Sequence, residues 1–199
     1  YKTMDGGDSW YSASTGLATQ VTTIVVDPVS PSTLYAGTPG AGVFKSINGG
    51  DSWSPANLGL TASHIASLAV NPAAPSILFA GALLDGVFKT TGRGDHWEAV
   101  NAGLPGARIT ALAIDPQTPG TLFAGTLSAI YKSTDGGEDW KGLNNLSAYG
   151  QVNVLAIDPL APANVYAGIR SAVFFSWNGG EDWGLHPLFT SSDIRSLAI

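Results

Sequence analysis

The chain has 199 residues, of which 44% are hydrophobic and only 12% are charged, a composition too apolar for a disordered protein. The absence of cysteine excludes disulfide bonds, thiolate metal ligands and a cysteine nucleophile. The net charge of −6 opposes binding to nucleic acid or to an anionic membrane surface, and no apolar run approaches the roughly 20 residues of a membrane-spanning helix. We therefore expect no nucleic acid partner and no membrane insertion.

A tryptophan recurs at intervals of 43 or 44 residues, at positions 10, 53, 97, 140 and 183. Each closes an eight-residue phrase, called the box here, that begins with Ser or Thr and usually continues with Asp or Asn and Gly-Gly. The five boxes are residues 3–10, 46–53, 90–97, 133–140 and 176–183. Two further phrases repeat in step: an apolar run that ends in Asp-Pro or Asn-Pro, and a short run that ends in aromatic-Ala-Gly. Such periodicity is the mark of a repeat architecture.

Four strands, A to D in chain order, are predicted in each repeat. Strand A is the apolar run, and it ends at the Asp/Asn-Pro turn because proline cannot donate to a sheet. Strand B is the aromatic-Ala-Gly run, strand C precedes the box, and strand D begins near the box tryptophan. The predicted A strands are 21–26, 65–70, 109–114 and 152–157; the B strands are 34–37, 78–81, 122–125 and 165–168; the C strands are 43–46, 87–90, 130–133 and 173–176.

A four-stranded antiparallel unit repeated every 40 to 50 residues or so is typical of a β-propeller blade. We therefore predict an all-β fold and a single propeller region over residues 1–199. The expected units are a part-blade over 1–14, blades over about 20–56, 64–100, 108–143 and 151–186, and strand A of a further blade over 193–199. Because strand A cannot pair with strand C across a missing strand B, we expect this region to be an excerpt of a ring of six to eight blades.

The box sequence Ser/Thr-x-Asp-x-Gly-x-x-Trp resembles that of the BNR/Asp-box propellers. These include sialidases, sortilin-type receptors, xyloglucan-cleaving glycoside hydrolases and photosystem II assembly factors, and the additional phrases are most similar to the last two groups. The resemblance implies a scaffold that binds a protein or glycan partner, or alternatively a hydrolase of the xyloglucanase or β-glucanase type. It also favours an extracytoplasmic or secreted location, which the residues themselves leave undetermined. No cofactor is predicted.

The box itself is interpreted as a structural staple between strands C and D. Its glycines permit positive φ, its Asp or Asn side chain bonds turn amides, and its tryptophan gives the hairpin a large apolar surface. A calcium-binding or catalytic role for the box acid is the alternative. The assigned structural residues are Asp5, Trp10, Asn48, Trp53, Gly94, Trp97, Asp135, Trp140, Asn178 and Trp183. Gly92 replaces the acid in the third box, which we still expect to form.

Antiparallel strand order separates two faces. The A–B and C–D turns lie on one face, called the box face, and the B–C loops and D–A connections lie on the other, called the loop face. Variable loops on a rigid frame usually carry function. The predicted binding residues on the loop face are Gln20, His64, Arg108, Gln151, Arg170 and Tyr149. Since strand A is innermost in a propeller, those that precede an A strand are expected to ring the mouth of the central channel.

Asp85 and Asp193 are the acidic pair that the sequence offers on the loop face. Glycoside hydrolysis needs two carboxyl groups, either about 5 Å or about 6.5 to 9.5 Å apart. The alternative is that Asp85 belongs to an Asp-Gly turn and Asp193 is a solvated loop residue. No metal site is predicted, because the three histidines lie in different repeats without ligand spacing.

Overall fold

The structure is a computed structural model that describes residues 1–17, 19–104, 106, 108–145, 150–170, 172–187 and 193–199. Its strands form four sheets, and the described residues contain no helix. The first sheet comprises β1 (Thr23–Val26), β2 (Leu34–Gly37), β3 (Val43–Ser46) and β4 (Ser54–Pro55). The second comprises β5 (Ile65–Val70), β6 (Leu78–Ala82), β7 (Gly86–Thr90) and β8 (Glu98–Ala99). The third comprises β9 (Ile109–Ile114), β10 (Leu122–Thr126), β11 (Ala129–Ser133) and β12 (Lys141–Asn145). The fourth comprises β13 (Val154–Ile157), β14 (Val165–Ile169), β15 (Ala172–Ser176) and β16 (Gly184–Pro187).

Each sheet is antiparallel, and its strands are ordered as they follow one another in the chain. The first strands of successive sheets, β1, β5, β9 and β13, contact one another, so they form the inner edge of the array. The predicted all-β fold of four-stranded propeller blades is therefore confirmed.

Several strand ends differ from the predicted ones. β1 begins at Thr23 rather than at position 21, and the hydroxyl of Thr22 donates to Ile65 O of the next sheet, at 2.5 Å. In the second, third and fourth sheets the B–C loops are shorter than predicted, since residues flanking the turns still pair across the hairpin, as Ala82 does with Gly86 and Ile169 with Ala172. The loop that carries Asp85 therefore has only three residues outside the strands, 83–85.

The hydrophobic core lies between neighbouring sheets. One cluster joins Tyr35 and Val43 of the first sheet to Ile65, Phe88 and Trp97 around the second. The glycine of each aromatic-Ala-Gly run permits this close packing: a methyl group at Gly37 would lie 2.8 Å from Cγ2 of Ile65. Gly81 meets Ile109, the first residue of β9, in the same way, and Gly125 meets Val152, two residues before β13. This repeated phrase thus marks the contact between sheets.

The two ends of the chain pair less extensively than predicted. Residues 1–14 contribute one antiparallel bridge between Lys2 and Tyr11, and residues 193–199 contribute one between Asp193 and Arg170. No longer ladder is formed by these segments in the described structure, so neither is assigned a strand. None of the described residues belongs to a helix long and apolar enough to cross a membrane.

Candidate binding face

The box turns are closed by short-range hydrogen bonds. In the second box, Ser46 Oγ accepts from the amides of Asn48 and Gly50 at 3.3 and 2.9 Å, and Asn48 Oδ1 accepts from the amide of Ser52 at 3.0 Å. The fourth and fifth boxes repeat this pattern around Asp135 and Asn178, and the first repeats it around Asp5. Bonds from Ser9, Thr3 and the Ser9 amide lower the pKa of Asp5.

The third box forms without an acid. Thr90 Oγ1 accepts from the amides of Gly92 and Gly94, each at 3.2 Å. The amide of Asp95 donates to the backbone oxygen of Gly92 at 3.1 Å. The turn therefore needs its hydroxyl and its glycine more than its acid.

The box tryptophans contact the preceding sheet, a role that sequence analysis missed. Trp97 donates from its ring nitrogen to Ala56 O at 2.8 Å and from its backbone to Leu58 O at 2.9 Å. Trp53 and Trp140 make the equivalent pairs of bonds one repeat apart, and all three are at most 7% exposed. A signal was present in the sequence: Gly59 lies where a side chain would collide with Trp97 O, and Gly16 and Gly103 occupy the equivalent positions.

Trp10 and Trp183 depart from this arrangement. Trp10 is 61% exposed, which differs from the packing expected of a box tryptophan, because no preceding sheet covers it in the described structure. Trp183 is half-buried, and its ring nitrogen donates to Gly180 O of its own turn at 2.9 Å.

A lysine on strand C also links neighbouring sheets. Lys45, Lys89 and Lys132 lie over the rings of Tyr35, Phe79 and Phe123, with the ammonium 5.6 to 5.9 Å from each ring centroid. Lys89 pairs with Glu138 of the next box at 3.0 Å, and Lys45 lies 3.7 Å from Asp95. Lys132 instead donates to Gly179 O at 2.7 Å. The side chains of the box face are thus used to hold the sheets together.

Arg93 links the second sheet to the first A–B turn through its side chain. Its Nη1 donates to Oδ2 of Asp27 in the first A–B turn at 2.5 Å, and its carbonyl accepts from the hydroxyl of Tyr35 at 3.0 Å. Burial opposes ionisation of Asp27, but bonds from the amides of Ser30 and Val29 and from Arg93 keep its pKa below the usual value. Burial raises the pKa of Tyr35 to about 12.

The predicted binding residues on the loop face are mostly exposed. Gln20, Arg108 and Gln151 are exposed shortly before β1, β9 and β13, and His64 is half-buried directly before β5. Within the described part of the chain, none of these four side chains has a hydrogen bond or ion pair. Tyr149, the remaining aromatic candidate, lies outside the described residues.

In the described part of the chain, Arg170 is bridged to another candidate residue. It is exposed next to β14, and its backbone bridges to Asp193, whose carboxylate lies 3.7 Å from Arg195. Asp85 lies instead on the second sheet, in the loop between β6 and β7. Among the described residues no contact joins the two acids, and no group of three His, Asp or Glu side chains suits a metal ion.

Two asparagines hold the B–C loops in place, and sequence analysis overlooked them. Asn101 Oδ1 accepts from the amide of Val87 at 2.7 Å, and its Nδ2 donates to Asp85 O at 3.1 Å. Asn57 makes the same two bonds in the first sheet, to Val43 and Ala41. Beside Asp85 a shallow depression of about 220 Å³ opens between Leu84 and Leu104. The repeated Asn-x-Gly-Leu at 57–60 and 101–104 was the available signal.

Comparisons with known proteins indicate a family and a fold for this chain. The family model described as photosynthesis system II assembly factor YCF48 matches residues 9–199. No curated protein sequence matches the chain.

Solved structures with the same fold include enzymes and an assembly factor. An ancestral GH74 enzyme aligns with a TM-score of 0.75 and 24% identity over 86% of this chain and 24% of its own. The GH74 xyloglucanase from Xanthomonas campestris gives 0.66 and 19% over 81% of this chain and 29% of its own. YCF48 from Cyanidioschyzon merolae gives 0.61 and 19% over 88% of this chain and 59% of its own. The chain thus spans less than two thirds of these structures, and the likeness to them is one of fold.

Proposed function

The chain belongs to the family of the photosynthesis system II assembly factor YCF48, and on that premise we propose that it is a non-catalytic scaffold that binds a protein partner through its loop face. The partner class that the family name suggests is a photosystem II polypeptide or subcomplex during assembly. The alternatives that the fold leaves are a glycan partner and a polysaccharide hydrolase.

The difference between the two faces carries this proposal. On the box face, repeated side chains bond to the neighbouring sheet, as Trp97 and Lys89 do. On the loop face, the residues before the A strands are polar but not uniform, with glutamine at 20 and 151, histidine at 64 and arginine at 108, and Gln20, Arg108 and Gln151 are exposed. Side chains that vary between repeats and make no internal contact are available to a partner.

Two B–C loops of the loop face are held by the frame, which favours binding on that face. The asparagine bonds to Val43 and Val87 fix the start of β3 and β7, and the amide of Ile65 donates to Thr38 O in the neighbouring B–C loop at 2.9 Å. A surface that is ordered before binding loses less conformational entropy in the complex.

The test is binding of purified photosystem II subcomplexes to the immobilised chain, measured by biolayer interferometry. The triple variant His64→Ala, Arg108→Ala, Gln151→Ala removes polar groups from three repeats of the loop face. We expect it to weaken binding by about tenfold or more, since alanine substitution at central interface residues commonly costs over about 1 kcal/mol each.

A matched control removes comparable polar side chains from the box side of the sheets. His96→Ala, Lys141→Ala, Gln117→Ala replaces one histidine, one cation and one glutamine, all exposed. We expect its affinity to stay within about twofold of the wild-type value. Equal losses in both triple variants, or no binding of subcomplexes to the wild-type chain, would refute the proposal.

The hydrolase alternative makes a separate prediction. It requires reducing-sugar release from xyloglucan or β-glucan that is abolished by either Asp85→Ala or Asp193→Ala. The two acids belong to different parts of the array, with Asp193 beside Arg170 and Asp85 beside Asn101. We expect no release from either glycan, and no loss of partner binding in the two acid variants.

A further inference from the structure

Two asparagines on the box face are each followed by glycine. Asn48-Gly49 lies in the second box and Asn178-Gly179 in the fifth, and the sequence contains no other Asn-Gly pair. A glycine after asparagine leaves its backbone nitrogen sterically unhindered, so this nitrogen can attack the side-chain amide carbon of the asparagine. Asn-Gly is for this reason the sequence most prone to spontaneous loss of the side-chain amide group, a reaction called deamidation.

The first and fourth boxes have aspartate at the same position. A hydrogen bond from the Ser133 hydroxyl lowers the pKa of Asp135. Bonds from Ser9 and Thr3 lower the pKa of Asp5. An ionised carboxylate resists attack by an amide nitrogen, because its carbon is less electrophilic than that of a neutral amide. Among the boxes, the reaction is therefore restricted to the second and the fifth.

The folded turn holds both reacting groups of Asn48-Gly49 in hydrogen bonds. The Gly49 amide donates to Ser32 O of the A–B turn at 2.8 Å. Asn48 Oδ1 accepts from Ser46 Oγ at 2.9 Å and from the Ser52 amide at 3.0 Å. Attack requires the nitrogen to leave Ser32 O and the side-chain amide to turn toward it, so the turn has to open before the reaction can occur.

The fifth box guards its Asn-Gly pair in the same way. The Gly179 amide donates to Ala163 O at 2.8 Å. Asn178 Oδ1 accepts from Ser176 Oγ at 3.0 Å and from the Asp182 amide at 2.9 Å. In the folded chain, the rate of deamidation at each asparagine is therefore set by how often its turn opens.

The two turns differ in how the box tryptophan is anchored. The ring nitrogen of Trp53 donates to Ala13 O outside its own sheet at 3.0 Å, and Trp53 is 7% exposed. Trp183 is half-buried, and its ring nitrogen donates to Gly180 O within its own turn at 2.9 Å. A bond between a turn and a neighbouring segment resists opening, whereas a bond inside the turn does not oppose its separation from that segment. We therefore expect the fifth box to open more often than the second.

We propose that Asn178 is a site of spontaneous deamidation, at which opening of the fifth box leads to a covalent change. The Gly179 nitrogen attacks Cγ of Asn178, and the side-chain nitrogen leaves as ammonia with the proton of the backbone amide, so that a cyclic imide remains. Water then adds to either carbonyl of the imide and gives aspartate or isoaspartate at position 178. The site lies on the box face, so its modification does not depend on the scaffold function.

Isoaspartate is the product that damages the box. It routes the backbone through the former side chain and lengthens it by one methylene group, which displaces the acceptor of the Ser176 hydroxyl and the Asp182 amide. Aspartate keeps the backbone intact and gives the same pair of acids as Asp135 and Asp139 in the fourth box, which forms the same turn. Accumulation of isoaspartate should thus loosen the turn between β15 and β16.

The experiment follows deamidation in the full chain during storage in mildly alkaline buffer. Peptide mapping by liquid chromatography and mass spectrometry quantifies aspartate and isoaspartate at positions 48 and 178, with synthetic peptides of residues 44–53 and 174–183 as unfolded references. We expect both sites to react at least about tenfold more slowly in the chain than in the peptides. Within the chain, position 178 should react about threefold or more faster than position 48. Equal rates at the two positions, or equal rates in chain and peptides, would overturn the proposal.

Ser176→Ala tests whether the turn controls the reaction. It removes the hydroxyl that donates to Asn178 and accepts from the Gly180 amide, so we expect deamidation at position 178 to accelerate by about fivefold or more. Ser133→Ala is the matched control, since Ser133 makes the same two bonds in the fourth box, which carries no asparagine. We expect it to leave the rate at position 178 within about twofold of the wild-type value. Equal acceleration by both variants would show that global unfolding controls the rate and would overturn the assignment to the fifth box.

A second pair of variants tests the consequence of the modification. Asn178→Asp removes the reactive amide and gives the acid pair that the fourth box already carries, so we expect it to fold. During storage, the fraction of wild-type chain that unfolds at the original urea midpoint should fall as isoaspartate accumulates, and Asn178→Asp should slow this loss about threefold or more. Asn48→Asp is the control and should slow it by less than about twofold. A loss that Asn178→Asp does not slow, or that both variants slow equally, would overturn the role of position 178.

Discussion

Arg93 and Asp27 are 66 residues apart in the chain, yet the guanidinium of the first donates to the carboxylate of the second over 2.5 Å. Asp27 is fully buried, whereas the Arg93 side chain is 42% exposed. The backbone of Arg93 has φ of 58°, in a turn position where the other boxes have glycine. Arg93 thus combines an unfavourable left-handed backbone with an ion pair between two sheets.

Replacing Arg93 by the glycine of the other boxes should destabilise the protein. Arg93→Gly relieves the unfavourable left-handed backbone, which should stabilise the protein by about 1 kcal/mol. It also leaves the buried carboxylate of Asp27 without its cation. We expect a net loss of about 1 to 2 kcal/mol in the free energy of unfolding, measured by urea denaturation. In the Asp27→Asn background, Arg93→Gly should be neutral or stabilising, and the same loss in both backgrounds would show that the two residues are not coupled.

The Asp27 contribution should disappear in acid. Because the folded-state pKa of Asp27 lies below the unfolded value of about 4, its charged form stabilises the fold above that value, and this stabilisation is lost as pH falls through the folded pKa. The difference in unfolding free energy between wild type and Asp27→Asn should therefore shrink between pH 7 and pH 3. A constant difference over that range would contradict a charge-based role.

The box tryptophan should behave as a link between sheets. Trp97→Ala removes a ring that is 1% exposed and should cost about 3 to 5 kcal/mol. Trp97→Phe keeps much of the packing but leaves Ala56 O without its donor. We expect the free energy of unfolding to fall by about 1 to 2 kcal/mol beyond the loss that the smaller ring causes. Trp10→Ala, at an exposed box tryptophan, is the control and should change stability by less than about 1 kcal/mol.

Asn101→Ala should loosen the loop that carries Asp85. The substitution removes the acceptor of the Val87 amide and the donor to Asp85 O, and we expect about 1 to 2 kcal/mol of destabilisation. Hydrogen exchange at Val87 should accelerate more than exchange in β10. Asn153→Ala is the control, since the Asn153 side chain makes no hydrogen bond within the described part of the chain. Equal exchange rates at Val87 in wild type and Asn101→Ala would contradict this role.

The predictable part of the fold followed from short-range patterns. Gly49 and Gly50 have the positive φ that Gly-Gly indicates, and Asp27 closes the Asp-Pro turn through the amides of Val29 and Ser30. The extension of β14 to Ile169 was not predicted, because its pairing with Ala172 has no signature in the local sequence. For Gln20, His64, Arg108 and Gln151, the sequence predicted a position before an A strand, and the structure adds that all but His64 are exposed.

The sequence by itself determined the repeat, the four strands of each unit and the turn chemistry, since each of these depends on residues a few positions apart. Only the tertiary structure decided what Trp97, Lys89 and Arg93 do, because their partners lie 41, 49 and 66 residues away on a neighbouring sheet. Those contacts depend on how closely two sheets pack, which Gly37 and its equivalents permit but which no single repeat specifies. The same packing leaves Ile47 and Leu58 exposed together in one groove.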